Sequence, residues 1–202
     1  MKKLTTLILL IFCTFSYAQD KQDINPLRVG LKIGTPNIIG GNLEFTTPLL
    51  DNRIALFADY SGFTIKEDGS EVALKYIEAG TNVYFKNNGK GLYASLSYGK
   101  LNLDGNYSDA ETVNGTLYEG EAEGSLDVST LNVKLGAKLG NKIYFRIEAG
   151  YGFGDIPQEI EVTGTEKNTG TTKTDSVEIP NDIPGIDESG YLLFNIGFGI
   201  SF

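Results

Sequence analysis

Nine charged residues alternate with mostly large apolar neighbours along six segments of this chain, and their types limit the chemistry that they can perform. Five are basic and four are acidic, so ion pairing is their simplest use if they share one interior. Two neighbouring carboxylates could instead serve acid–base catalysis, and a row of charges could line a path for ions. The nine residues are Arg28, Lys32, Glu44, Asp59, Glu78, Lys134, Lys138, Arg146 and Glu148.

The residue types that are missing exclude several kinds of enzyme. The chain has no His, and Cys13 is its only Cys. Ser–His and Cys–His nucleophile pairs are therefore excluded, as is every metal site that needs an imidazole. Cys13 lies in a segment that we expect to be removed, so the mature chain offers no thiolate ligand. We predict no catalytic residue, no cofactor-binding residue and no dedicated metal ligand.

Eight segments with large apolar residues at every second position are predicted to be β-strands. In each of them the other face is mostly small or polar, and in six of them it carries the charges named above. No segment of the mature chain has a helical period that could cover the apolar faces. A lipid bilayer would cover them from outside, which leaves the polar faces inside a barrel. The predicted strands are 27–34, 39–48, 54–63, 74–85, 91–101, 129–139, 143–153 and 190–202.

The connections between these strands differ in length on the two sides. An even number of strands places both chain ends on the same side, together with the shorter turns. Short turns on one side and long loops on the other are typical of outer-membrane barrels, with the short side in the periplasm. The short turns are 50–53, 86–90 and 140–142, and the long loops are 64–73, 102–128 and 154–189; one connection on the long-loop side, 35–38, is short.

The last strand carries the most specific signal. Phe198, Ile200 and Phe202 end the chain on one apolar face. In this feature, and in its eight predicted strands, the chain resembles the small eight-stranded outer-membrane β-barrel proteins, the class that includes the barrel of outer membrane protein A. The resemblance covers about 27–202 and implies an all-β, antiparallel, up-and-down transmembrane barrel in the outer membrane of a gram-negative cell envelope. It also implies that the terminal strand is the assembly signal read by the barrel-assembly machinery.

Aromatic residues on the apolar faces fall at two levels, as expected of rings that favour the two membrane interfaces. Six are predicted to be interface aromatics in contact with outer-membrane lipid. Those near the outer interface are Tyr60, Tyr98 and Tyr151, and those near the inner one are Phe45, Phe85 and Phe145.

The first residues indicate secretion. Residues 1–18 have a basic start, an apolar run of about a dozen residues and a small residue before the expected cleavage point, as in a signal peptide. We predict a short periplasmic segment at 19–26 and the barrel at 27–202. Loss of Lys2 and Lys3 would make the net charge of −9 more negative by two, so nucleic acid is not an expected partner.

The predicted interior has three possible uses. An eight-stranded barrel is just wide enough for side chains to fill it, so the charges could form a plug of ion pairs. They could also line a narrow or gated ion path, or provide a catalytic carboxylate pair. For Arg146, the expected partners are Glu148, Glu78 or Asp59, depending on the strand register.

The long loops hold the excess of acid. Between residues 101 and 133 there are seven acidic residues and no Lys or Arg. These carboxylates could simply keep the surface soluble, or could bind Ca²⁺ or Mg²⁺ weakly. Ser176 lies in a short sequence that resembles an O-glycosylation acceptor. The loops 102–128 and 154–189 could also contact an extracellular or surface partner.

Three functions are compatible with these observations. The first is a non-enzymatic, structural or surface-interaction protein of the outer membrane, with a lumen filled by side chains. The second is a narrow channel or transport protein for small solutes. The third is a soluble periplasmic barrel that binds a ligand inside, although polar inward faces argue against it.

Overall fold

The structure is a computed structural model that describes residues 24–67, 69–113, 116–166, 169–178 and 185–202. Eleven β-strands run through the described residues. They are β1 (Leu27–Thr35), β2 (Ile38–Thr46), β3 (Ile54–Glu67), β4 (Ser70–Tyr84), β5 (Gly91–Val113), β6 (Thr116–Gly140), β7 (Ile143–Phe153), β8 (Glu159–Glu166), β9 (Thr172–Glu178), β10 (Ile186–Asp187) and β11 (Gly190–Ser201).

Eight of these strands close into an antiparallel barrel. Each of β1 to β6 pairs with the next strand along the chain. The last strand, β11, pairs with β7 on one side and with β1 on the other, from Arg28 opposite Ser201 to Thr35 opposite Phe194. The structure thus confirms the predicted fold class, an all-β, eight-stranded, up-and-down barrel.

The two ends of the barrel differ. At one end, here called the short-turn end, the connections are 47–53, 85–90 and 141–142, and Leu27 exchanges backbone hydrogen bonds with Phe202. At the other end, β3 to β6 continue past the barrel mouth. The hairpin of β8 and β9 pairs with β6 through residues 120–124 and 162–166. We call this projecting sheet the extension; it comprises 62–67, 70–75, 101–113, 116–128, β8 and β9.

Several strands are longer than predicted. Loop 102–128 is mostly the two longest strands of the fold, since β5 runs to Val113 and β6 begins at Thr116. Loop 64–73 is the end of a hairpin, and loop 154–189 contains β8, β9 and β10. The predicted bounds were therefore wrong for this end, because paired strands continue where the barrel stops.

The predicted signal peptide 1–18 and residues 19–23 of the predicted periplasmic segment lie outside the described residues. Within the part of the chain that the structure describes, there is no helix with the length and apolar character needed to cross a membrane.

Candidate functional site

All nine charged residues predicted for the lumen lie on inward faces of the barrel strands and are buried. None of the nine is more than 2 % exposed. Buried charges of this kind are tolerated only when they are paired and hydrogen-bonded. The barrel thus holds an interior of ions where a soluble domain would hold an apolar core, and the charges form two groups.

The first group, here called the Glu44 cluster, lies towards the short-turn end. One carboxylate, Glu44, contacts three cations from three other strands: Arg28 on β1, Lys138 on β6 and Arg146 on β7. The Lys138 Nζ lies 3.3 Å from Glu44 Oε1, the same oxygen that accepts from Arg28. Tyr84 also donates to Glu44, at 2.9 Å.

The second group, here called the three-acid cluster, lies nearer the extended end and has the opposite balance. Two lysines are shared among three carboxylates. Lys32 Nζ donates to Asp59 Oδ2 at 2.6 Å and to Glu148 Oε2 at 2.8 Å. Lys134 Nζ donates to Glu78 Oε1 at 2.6 Å and lies 3.9 Å from Glu148.

Arg146 joins the two clusters, and its main partner differs from the expected one. Its Nη2 donates to Glu44, which is on β2, across the lumen. Its Nη1 lies 3.7 Å from Glu148 and donates to Asn42 Oδ1 at 3.2 Å. Of the three acids expected for Arg146, only Glu148 is an ion-pair partner among the described residues. The expectation was incomplete because the curvature of the barrel brings β2 to face β7.

Uncharged inward side chains donate further hydrogen bonds to the buried carboxylates. These uncharged residues were not among the predicted site residues. Tyr93 donates to Glu148 Oε1 at 2.6 Å, and Ser97 donates to Glu78. Asn82 donates to Glu44 Oε2 at 2.8 Å. The sequence feature that could have identified them is their position on the same inward faces as the charges.

Two glycines let the tyrosines lie flat across the lumen. The ring of Tyr93 lies against the backbone of Gly136, and the Tyr144 hydroxyl lies against Gly199, so a side chain at either glycine would collide. Inward glycines thus make room for the tyrosines. The lumen is therefore filled by rings as well as by ions.

An apolar cap lies at the extended end of the lumen. It consists of Val128, Ile156, Tyr191 and Leu193, all buried, with Leu101 and Leu126 packed against them. Below it, the Tyr191 hydroxyl lies 3.2 Å from Thr130 Oγ1, where the polar interior begins. Ions moving along the barrel axis would meet this apolar layer before the extended end.

The outside of the barrel is an apolar band, since every barrel strand exposes large apolar side chains outwards. Examples from the eight strands are Val29, Leu43, Leu56, Ile77, Leu96, Leu135, Ile147 and Phe198. The predicted interface aromatics Phe45, Tyr60, Phe85, Tyr98, Phe145 and Tyr151 alternate with the inward residues and so face outwards, and Ile200 and Phe202 are exposed on the terminal strand.

Tyr151 also has a polar contact beyond the barrel mouth. Its hydroxyl donates to Asp187 Oδ1 on β10 at 2.9 Å. The Ser189 hydroxyl and the Tyr151 hydroxyl, both donating to Asp187, lower the pKa of this exposed carboxyl below its usual value. A negative charge is thereby held at the tight turn between β10 and β11.

The extension carries acidic residues on its outer face. Asp104, Glu123, Asp127, Glu159 and Glu161 line an open groove of about 890 Å³ on strands β5, β6 and β8. Among the described residues, no three acids are close enough together to hold a metal ion. Cation binding and modification of Ser176 stay predictions.

The comparisons with known proteins add little to this description. No family model matches the chain, and no curated protein matches it. Among solved structures, CarO2 of Acinetobacter baumannii is similar with a TM-score of 0.46 and 14% identity, covering 90% of this chain and 100% of that one. A major outer membrane protein from Thermus thermophilus has a TM-score of 0.46 and 13% identity, covering 87% of this chain and 97% of that one. Similarities of this size assign no function.

Proposed function

We propose that this chain is an integral β-barrel protein of the outer membrane that acts without enzymatic activity, as a structural or surface-interaction protein with a lumen closed by its own side chains. The observation that carries the proposal is the combination of an apolar exterior with nine buried, paired charges inside. A soluble barrel would place those faces the other way round. A bilayer covers the apolar band, and the ion pairs replace the water that would fill a pore.

The membrane location is tested by fractionation together with heat-dependent gel mobility. A folded barrel in detergent runs faster than its heated form, because the closed sheet resists unfolding at room temperature. We expect the chain in the outer-membrane fraction and in two mobility forms. A fully soluble protein whose mobility does not depend on heating would instead support the soluble periplasmic barrel.

We further propose that the barrel-assembly machinery recognises the terminal strand. Phe202 is 61 % exposed at the short-turn end, and Phe85 is 57 % exposed at the same end on another turn. Phe202→Asp and Phe85→Asp therefore place the same charge in matched surroundings, where position alone costs at most about 1 kcal/mol. We expect only Phe202→Asp to lower the amount of assembled barrel strongly. Equal amounts of both variants would contradict a terminal signal.

The second candidate is a narrow channel for small solutes. It is favoured by the continuous row of charges through both clusters, which Arg146 connects. It is opposed by the apolar cap at the extended end. Planar-bilayer conductance separates the two functions: a closed lumen gives little or no current, whereas a channel gives steady, ion-selective steps.

The surface role is proposed for the extension, which would project outside the cell if the short-turn end faces the periplasm. Its outer face is acidic and its inner face presents apolar side chains such as Phe63, Ile65 and Val72, which are exposed. Exposed apolar patches on a folded surface commonly mark contacts with a partner. Binding of whole cells or purified surface material by the wild type, but not by a variant without 159–178, would support this role.

A further inference from the structure

The Glu44 cluster has more positive charge than its acid can balance. Arg146 has a second acid, Glu148, at 3.7 Å. Arg28 and Lys138 have no ion-pair partner other than Glu44 among the described residues. Both residues are 2 % exposed, so bulk water does little to stabilise their charges. The cluster would gain stability from a second negative group beside Arg28 and Lys138.

A cavity lies next to these two cations, at the short-turn end of the lumen. It has a volume of about 120 Å³. A buried water needs only roughly 10–15 Å³ of such space, so the cavity can hold an ion of several atoms. Its lining residues are Ile24, Asn25, Arg28, Asn88, Lys90, Lys138, Gly140, Asn141 and Ser201.

The lining has the chemistry of an anion site. Three of the nine lining residues are cations, and none of these nine described residues is acidic. Arg28 Nε is buried and has no hydrogen-bond partner among the described residues. The side-chain amides of Asn25, Asn88 and Asn141 and the Ser201 hydroxyl add neutral donors.

The turn between β4 and β5 holds the guanidinium in place. Gly89, at the tip of this turn, has φ of 59° and its backbone lies against the Arg28 guanidinium, where a side chain would collide. Lys90, the next residue, donates to Asn141 on the turn between β6 and β7. Two turns therefore carry donors to the edge of the same cavity.

We propose that this cavity binds one small oxyanion of the size and charge of inorganic phosphate or sulfate. The planar guanidinium of Arg28 and the point charges of Lys138 and Lys90 suit the oxygens of such an ion. A cation would be repelled by three positive side chains, and an apolar ligand would leave the donors unpaired. The inference goes beyond the proposed function, since the site does not depend on whether the lumen conducts.

The test uses the full chain, purified in a non-ionic detergent and in a buffer without phosphate. Inorganic phosphate and sulfate are each titrated into this protein at constant ionic strength, and binding is measured by calorimetry. We expect saturable binding of one ion per chain. A sulfonated dye that is too large for the cavity should not bind. Absence of saturable binding by both small ions would overturn the proposal.

Matched variants locate the site. Lys90→Gln removes a lining charge from an external turn, and we expect binding about tenfold weaker, as for the loss of a charge-assisted hydrogen bond. Lys142→Gln removes the same charge from the neighbouring turn, outside the lining, and should leave the affinity unchanged. Equal weakening by both variants would show general electrostatic attraction and overturn the site.

A third variant tests the buried cation. Lys138→Gln leaves Glu44 paired with Arg28 and Arg146, so the barrel should still fold and show heat-dependent mobility. We expect it to lose at least as much affinity as Lys90→Gln. A folded Lys138→Gln protein with wild-type affinity would place any bound anion elsewhere and overturn the assignment.

Discussion

Strands β3 to β6 pass through two regions, the barrel wall and the extension, and their apolar side chains change faces between them. On β5, Leu92 and Leu96 face outwards from the barrel. Further along the same strand, Leu101 and Leu103 have the opposite parity and lie on the side that continues the lumen. The strand geometry is continuous across this boundary, so the change comes from the sequence.

The other three strands change faces at the same height. Paired residues Phe63, Leu74, Leu103 and Leu126 form one inner row across β3, β4, β5 and β6 in the extension. In the wall, the inner rows are ionic instead. The proposed membrane location accounts for the difference: lipid outside the wall would favour outward apolar residues, and water outside the extension would favour inward ones.

The largest loss of stability is expected from a substitution on the inner face of the wall. Glu44→Gln leaves Arg28 and Lys138 without an acid partner among the described residues. Breaking a buried pair from one side costs about 3–5 kcal/mol of unfolding free energy, measured by urea unfolding in vesicles. Glu123→Gln, on the exposed outer face of the extension, is the matched control and should change stability by less than about 0.5 kcal/mol. Equal losses would remove the distinction between the regions.

The second-largest loss of stability is expected from a substitution on the outer face of the wall. Leu135 lies in the middle of the outward row of β6, between Ala94 and Ala149 on the neighbouring strands. Leu135→Lys would place a charge near the centre of the bilayer, at about 2–4 kcal/mol. Asn106→Lys makes a similar addition on the outer face of the extension, where water solvates it. If the two variants unfold at the same urea concentration, the wall does not face lipid.

A smaller, local effect is expected on the inner face of the extension. Leu103→Ser removes a half-buried apolar side chain worth about 1 kcal/mol. We expect faster amide exchange in the extension and unchanged exchange in the barrel, because the two regions bury different interiors. Asp104→Ser, one residue along on the outer face, should leave both unchanged. Faster exchange throughout the barrel would show that the two interiors are one cooperative unit.

The smallest effect concerns pH at the barrel mouth. The pKa of Asp187 is lowered by hydrogen bonds from the hydroxyls of Ser189 and Tyr151. The charged form therefore stabilises the turn between β10 and β11 fully above the ordinary Asp value of about 3.9. This contribution is lost as the pH falls through the depressed pKa. Amide exchange at Ser189 should rise at that pH in the wild type but not in Asp187→Asn.

The sequence predicted the barrel because alternation is a local property. In the wall, each strand has one large apolar face and one polar face, and that pattern alone assigns Glu44, Glu78 and Arg146 to the interior. Ion-pair partners such as Glu44 and Arg146 depend on which strands face each other across a closed barrel, and one strand's pattern does not contain that information.

The extension was missed for a related reason. Between Tyr98 and Leu101 the apolar alternation changes phase, and a change of phase is also what the end of a strand produces. The same shift separates Tyr60 from Phe63 on β3 and Ile77 from Leu74 on β4. Shifts at one height on neighbouring strands are visible as a boundary between two media only when the register of the strands is known.

The most direct test uses the fact that the chain contains no Trp. Leu96→Trp and Asp104→Trp each place a single indole on the outer face of β5, separated by about 26 Å along the strand. In vesicles that contain brominated lipid, we expect strong quenching and blue-shifted emission from position 96. Position 104 should emit at longer wavelength with little quenching. Equal quenching at both positions, or none at position 96, would contradict a barrel wall that faces lipid beneath an extension that faces water.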